Sequence, residues 1–265
     1  MSLFASPGLV PQTVAPGGDV ILTLDSEPPD GRSSPPDFFG SFATKAIDPD
    51  PGTKTTFTFR LSSAHLVSAS PVFKAMLAGP WKEGTKTSDG CFHVTAEDWD
   101  PTAFLHIMHI LHSRSDLVPQ NPRSVNELVN LAVIVDYYKL HNVVAHSAAL
   151  WLYRFKSYSP VPTSYDKETV FQWLFVAWTF KQNLIFQQMS QLTIMHHIPE
   201  HLRFLGAGLP IPSSIIGQFQ HSLLHLSITG ETYPSERVFA IRIMLLLTPK
   251  GAYLLEHQIV SNPPE

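Results

Sequence analysis

The stretch from Thr56 to Leu77 constrains the fold most. Thr56-Phe57-Thr58-Phe59-Arg60-Leu61 alternates with period two, placing Phe57, Phe59 and Leu61 on one side, as in a half-buried strand. Ser62 or Ser63 then offers an oxygen to cap a short helix through Ala69. Ser70-Pro71 restarts the chain: serine caps, and proline at the first helical position lacks an N–H that the helix does not use. Val72, Phe73, Met76 and Leu77 share one face of this second helix, and Gly79-Pro80 ends it. A strand followed at once by two short helices predicts a pair docked against a sheet.

The rest of that sheet is legible nearby. Asp19-Val20-Ile21-Leu22-Thr23-Leu24, entered through Gly17-Gly18, reads as a strand, and Cys91-Phe92-His93-Val94 as a third. Asp100-Pro101 caps a helix with Phe104, Leu105, Met108 and Leu111 as its apolar stripe. Ser124 with Glu127 is a capping box that opens a helix through Tyr137, and Val143 to Phe155 makes another. From Lys167 onward the pattern is helical: Val170–Phe180, apolar on nearly every side, then Leu184–His196, Ser213–Ile228 and Ser235–Leu247. Early strands and later helices predict an α+β fold, a small sheet flanked by helices and followed by an all-helical C-terminal region.

Proline and charge set the flexible parts apart. Residues 1–52 hold nine of the 23 prolines and seven acids against two bases, Arg32 and Lys45. The remaining chain is almost neutral, with 15 acids and 16 bases. Residues 1–16 are accordingly expected to be a disordered N-terminus, and 25–53 a disordered, acidic, proline-rich insertion.

Composition excludes several classes. At 265 residues and 44% apolar the chain can bury a substantial core, and a net charge of −4 argues against a protein that coats nucleic acid. One cysteine builds no intramolecular disulfide, which points to a reducing compartment, cytoplasm or nucleus. No apolar run approaches the roughly 18 residues of a membrane span, and the N-terminus lacks the basic region of a secretory signal. No P-loop, G-x-G-x-x-G or G-x-S-x-G is present.

The thirteen histidines form no metal site by spacing. His106, His109 and His112 drift around one helix, and His221 with His225 lacks an H-E-x-x-H base. Cys91 reads as a buried small hydrophobe, and Asp136, at a helix end, as a structural acid needing a hydrogen-bond partner. No cofactor or metal is expected.

Asp19-Val20 opening a strand, the block Phe59 to Leu77, and Ala132-Val133-Ile134-Val135-Asp136-Tyr137-Tyr138 together resemble a BTB/POZ domain. The long insertion is similar to that of many uncharacterised fungal members. The resemblance covers residues 17–157; 158–250 looks like a helical extension, and 251–265 is a tail with no assigned element. It implies a non-enzymatic protein–protein interaction module that dimerises and holds a partner protein. Self-association would run through the 19–24 strand and the 62–69 helix, involving Asp19, Val20, Ile21, Leu22, His65, Arg60 and Lys74, with Arg60 or Lys74 pairing Asp19. Some relatives recruit a cullin for ubiquitin ligation through a hydrophobic-x-acidic triplet after the second helix, the place that Trp81-Lys82-Glu83 occupies here. Substrate adaptor for a cullin-type ligase is thus an alternative reading. An enzyme with His201, His221 or His225 in a C-terminal pocket is another, from a different class.

Overall fold

Alternating burial along one strand sets the register of the sheet. The computed structural model describes residues 12–26, 55–158 and 167–195. In β2 (Val20–Ser26), Val20, Leu22 and Leu24 are fully buried while Ile21, Thr23 and Asp25 are half-buried. Antiparallel β3 (Thr55–Leu61) sets Leu61 opposite Val20 and Phe59 opposite Leu22; parallel β4 (Phe92–Glu97) sets Val94 opposite Leu22 and Ala96 opposite Leu24. A one-residue slip would send all these side chains to the wrong face, so burial itself locks the pairing. The sheet is mixed and four-stranded, in the order β1 (Gln12–Thr13), β3, β2, β4.

The fourth strand corrects the expectation for the N-terminus. Gln12–Thr13 forms β1, parallel to Phe59 and Arg60 of β3, inside the stretch read above as disordered. The Arg60 carbonyl accepts from the Val14 and Ala15 N–H groups at 3.2 and 3.1 Å, satisfying backbone that a disordered tail would leave to water. The chain then turns through Gly18, where a Cβ would lie 2.3 Å from the Leu61 carbonyl oxygen, so only glycine fits. At the far end of β2, Asp25 and Ser26 are still paired, with Thr56 and Thr55, so the strand outruns its expected end at Leu24.

Between β3 and β4 come α1 (Ser63–Ala69) and α2 (Pro71–Ala78). The Ser70 hydroxyl accepts from the Phe73 N–H at 3.1 Å, the cap expected from Ser-Pro. Leu66, Phe73 and Leu77 are the buried residues of the pair. The α3 helix (Pro101–Leu111) starts on Asp100, which accepts from the Ala103 N–H at 2.7 Å. Burial runs unbroken from Ala103 to Leu111, so the expected stripe is instead a helix enclosed on every side. Phe73 stacks on Tyr138 at 4.4 Å, and Phe104 lies edge-on to the same ring.

The described residues divide into two compact units, one of those up to Pro122 with Val133–Leu152, the other of Arg123–Ala132 with those from Tyr153 onward. This differs from the expected boundary at 157, because α4 (Val125–Tyr137) and α5 (His141–Tyr158) each contribute residues to both. In the second unit, the Glu127 N–H donates to Ser124 Oγ at 3.2 Å, and the Glu127 carboxylate accepts from the Arg123 N–H at 2.7 Å, a capping box shifted back by one residue. There α6 (Lys167–Thr179) packs on α7 (Asn183–Met195). Val170, Phe171 and Trp173 to Ala177 are buried, as the all-round apolar pattern predicts. The expected helices Ser213–Ile228 and Ser235–Leu247, the tail, and most of the 25–53 insertion lie outside the described residues.

Candidate interaction surface

Asp19 sits where the tight Gly18 turn enters β2, beside the start of α1. Its Oδ1 accepts from the Ser63 N–H at 2.9 Å; its Oδ2 accepts from the Ser63 hydroxyl at 2.9 Å and from Lys86 Nζ at 3.1 Å. Ser62 holds the capping position by backbone alone and makes no side-chain cap bond. The cap thus comes from a carboxylate 44 residues away in sequence. Burial pushes the Asp19 carboxyl up, but the bonds from Ser63 and Lys86 outweigh it and hold the group below its ordinary value. Lys86 also lies over the Phe92 ring, 4.9 Å from its centre.

This corrects the expected pairing. The base on Asp19 is Lys86, not Arg60 or Lys74. The Arg60 Nε–H instead donates to the Gly18 carbonyl at 2.9 Å, and Lys74 stands exposed on α2. The dimer-seam expectation for the 19–24 strand narrows as well. With β3 on one side and β4 on the other, β2 is internal to the sheet. Val20 and Leu22 have no surface to offer a second copy, and Ile21 is half-buried on the opposite face. On α1, by contrast, Ala64, His65 and Ser68 are exposed.

Behind α1 stands a histidine missed as a partner by the sequence reading. His112, at the end of α3, accepts from the Ser62 N–H through Nε2 at 2.9 Å and bonds the Met108 carbonyl through Nδ1 at 2.8 Å. His65 stacks on its ring at 5.0 Å. His106, His109 and His112 are all buried, and burial is the main cause that lowers each imidazole, His106 to about 4.

Trp81, Lys82 and Glu83 follow α2. Trp81 is 63% exposed, Lys82 is exposed and Glu83 is half-buried. The turn is nonetheless braced. Residues Lys82–Gly84 form a 3-10 turn, the Gly84 N–H donates to the Trp81 carbonyl at 3.0 Å, and the Trp81 ring lies against Gly79. A Cβ on Gly84 would come within 2.5 Å of the Gly79 carbonyl oxygen, so the two glycines let the turn close.

Asp136 and Asp89 also have structural partners. Asp136 Oδ1 accepts from Lys139 Nζ at 3.3 Å and lies 3.5 Å from His141 Nε2. Asp89 accepts from the Thr87 hydroxyl, the Cys91 N–H and His93, which together hold its carboxyl far below the ordinary range and shape the turn into β4. Cys91 is buried. Among the described residues no group of three or more His, Cys, Asp or Glu is placed to hold a metal ion, and no helix is long and apolar enough to cross a membrane. His201, His221 and His225 lie outside the described residues.

No protein-family model matches this chain, and no curated protein matches it.

Proposed function

We propose that this chain is a BTB/POZ-like protein–protein interaction module that self-associates and holds a partner protein, without a catalytic role of its own. The observation that carries the reading is Trp81, a large aromatic left 63% exposed on a turn held by its own backbone hydrogen bonds and two close-packed glycines. A rigid exposed aromatic is an anchor for a partner, because little ordering entropy is lost when it is covered. The run centred on His65 and Phe73, which carries much of the resemblance, folds as two short helices beside a small sheet, which supports the same reading.

Self-association falls to the outer face of α1 with Ala64, His65 and Ser68, since β2 is enclosed. Light scattering at micromolar concentration returns a dimer mass for the full chain and a monomer mass for Ala64→Glu. A monomer mass for the wild type removes the self-association half of the proposal.

The exposed Trp81 two residues before Glu83 also favours the adaptor reading. A pull-down with a cullin, comparing the wild type with Trp81→Ala plus Glu83→Ala, decides it. Loss of capture in the double variant supports an adaptor; absent or equal capture removes that role.

A further inference from the structure

The contacts of His112 fix its protonation state through geometry. A carbonyl only accepts, so the 2.8 Å bond to Met108 requires a proton on Nδ1. A backbone N–H only donates, so the 2.9 Å bond from Ser62 requires Nε2 to be bare. Both bonds exist together only in the neutral ring. A second proton on Nε2 would set one donor against another at the N-terminus of α1.

We propose that His112 is an acid-operated latch for α1: neutral, it holds the helix start to the end of α3; protonated, it releases it. The surroundings are arranged for release rather than for stabilising the charge. His65 on α1 stacks on the ring at 5.0 Å and opposes a charge there, and His109 lies one turn back on the same helix. Arg114 and Asp116, in the turn after α3, act on His109 with opposite signs. Asp19, which reaches α1 one residue further on, is engaged by Ser63 and Lys86. The Met108 carbonyl favours the charged ring, as helix C-termini do, but burial outweighs it. The helix is short enough to let go: seven residues, with Leu66 its buried anchor. The latch stands independently of the proposed interaction role.

Amide hydrogen exchange on the full chain between pH 7 and pH 5, corrected for intrinsic exchange, tests it. Protection of the Leu66 to Ser70 amides falls relative to Leu22 and Leu24 of β2, by up to roughly 25-fold, the limit set by an ordinary imidazole in the released state. In His112→Gln, whose neutral oxygen can still accept from the Ser62 N–H, the relative fall disappears. Equal protection at both pH values, loss shared equally by β2, or an undiminished fall in the variant overturns the latch. Ring nitrogen chemical shifts of the wild type supply a check independent of the variant's folding: they show Nδ1–H at pH 7, and an Nε2–H tautomer overturns the proposal.

Discussion

The Ser70 hydroxyl donates to the Tyr138 carbonyl at 2.6 Å while accepting from the Phe73 N–H at 3.1 Å, so one buried oxygen both caps α2 and joins it to the residue after α4. The partners are 68 residues apart, and the Phe73 and Tyr138 rings stack beside them with 6° between their planes. Ser70→Ala removes the cap and leaves a buried carbonyl without this donor, an expected loss of about 2–3 kcal/mol. The denaturation midpoint of the variant, with an unchanged slope, measures it.

Asp19→Ala should destabilise the chain by about 1–2 kcal/mol at pH 7, since it uncaps α1 and leaves the Ser63 N–H without its acceptor. Lys86→Ala should cost less than about 1 kcal/mol, because that ion pair is solvent-screened. The sign with pH follows from the lowered carboxyl: its contribution is present above pH 3.8 and is lost as pH falls through the folded-state value. Acid titrations of stability for the two variants compare these terms; a Lys86→Ala loss equal to that of Asp19→Ala would contradict the assignment.

The buried α3 histidines predict a separate limb at milder pH. His106 is pushed down to about 4, so the unfolded chain binds its proton first. Its contribution is complete above about pH 6.5 and falls as pH drops toward 4, by about 2–3 kcal/mol at most. His106→Leu should flatten the slope of stability against pH in that window whatever its effect on absolute stability. Denaturant melts at a series of pH values read this slope.

Trp81→Ala should change folding stability by less than about 0.5 kcal/mol, because the side chain is mostly in water. Its effect should fall on partner capture instead. A Trp81→Ala loss above about 2 kcal/mol in a denaturant melt would make the residue part of the fold.

Gly18→Ala tests the turn that delivers Asp19. Its Cβ would meet the Leu61 carbonyl at 2.3 Å, against backbone that cannot swing aside, and the expected cost is about 1–3 kcal/mol. The far-ultraviolet dichroism should remain that of the wild type while the melting temperature falls.

Elements whose signals are local could be read from residue order. Period-two alternation in Thr56–Leu61, the Ser70-Pro71 and Asp100-Pro101 starts, and the Ser124–Glu127 box each concern neighbours within about one helical turn, and each element formed. Gln12–Thr13 was missed because two residues carry no period, and the Arg60 carbonyl that orders the backbone after them lies on β3. Trp81-Lys82-Glu83 could be picked out as a candidate, but its exposure could not, since that depends on how the turn closes over Gly79 and Gly84.

Local chemistry therefore settles where α2, α3 and α4 start and which face of β3 is apolar, because hydrophobic period and capping act over a few residues. The partners of Asp19 and His112 are another matter. Ser62, Ser63 and Lys86 lie between 44 and 67 residues from them in the chain, and nothing in the spacing selects Lys86 over Arg60 or Lys74. Which side chain reaches which backbone group is fixed once β2 is enclosed by two strands and α1 is laid against the end of α3. Burial makes an unpaired polar group costly, and packing determines which partner is in reach.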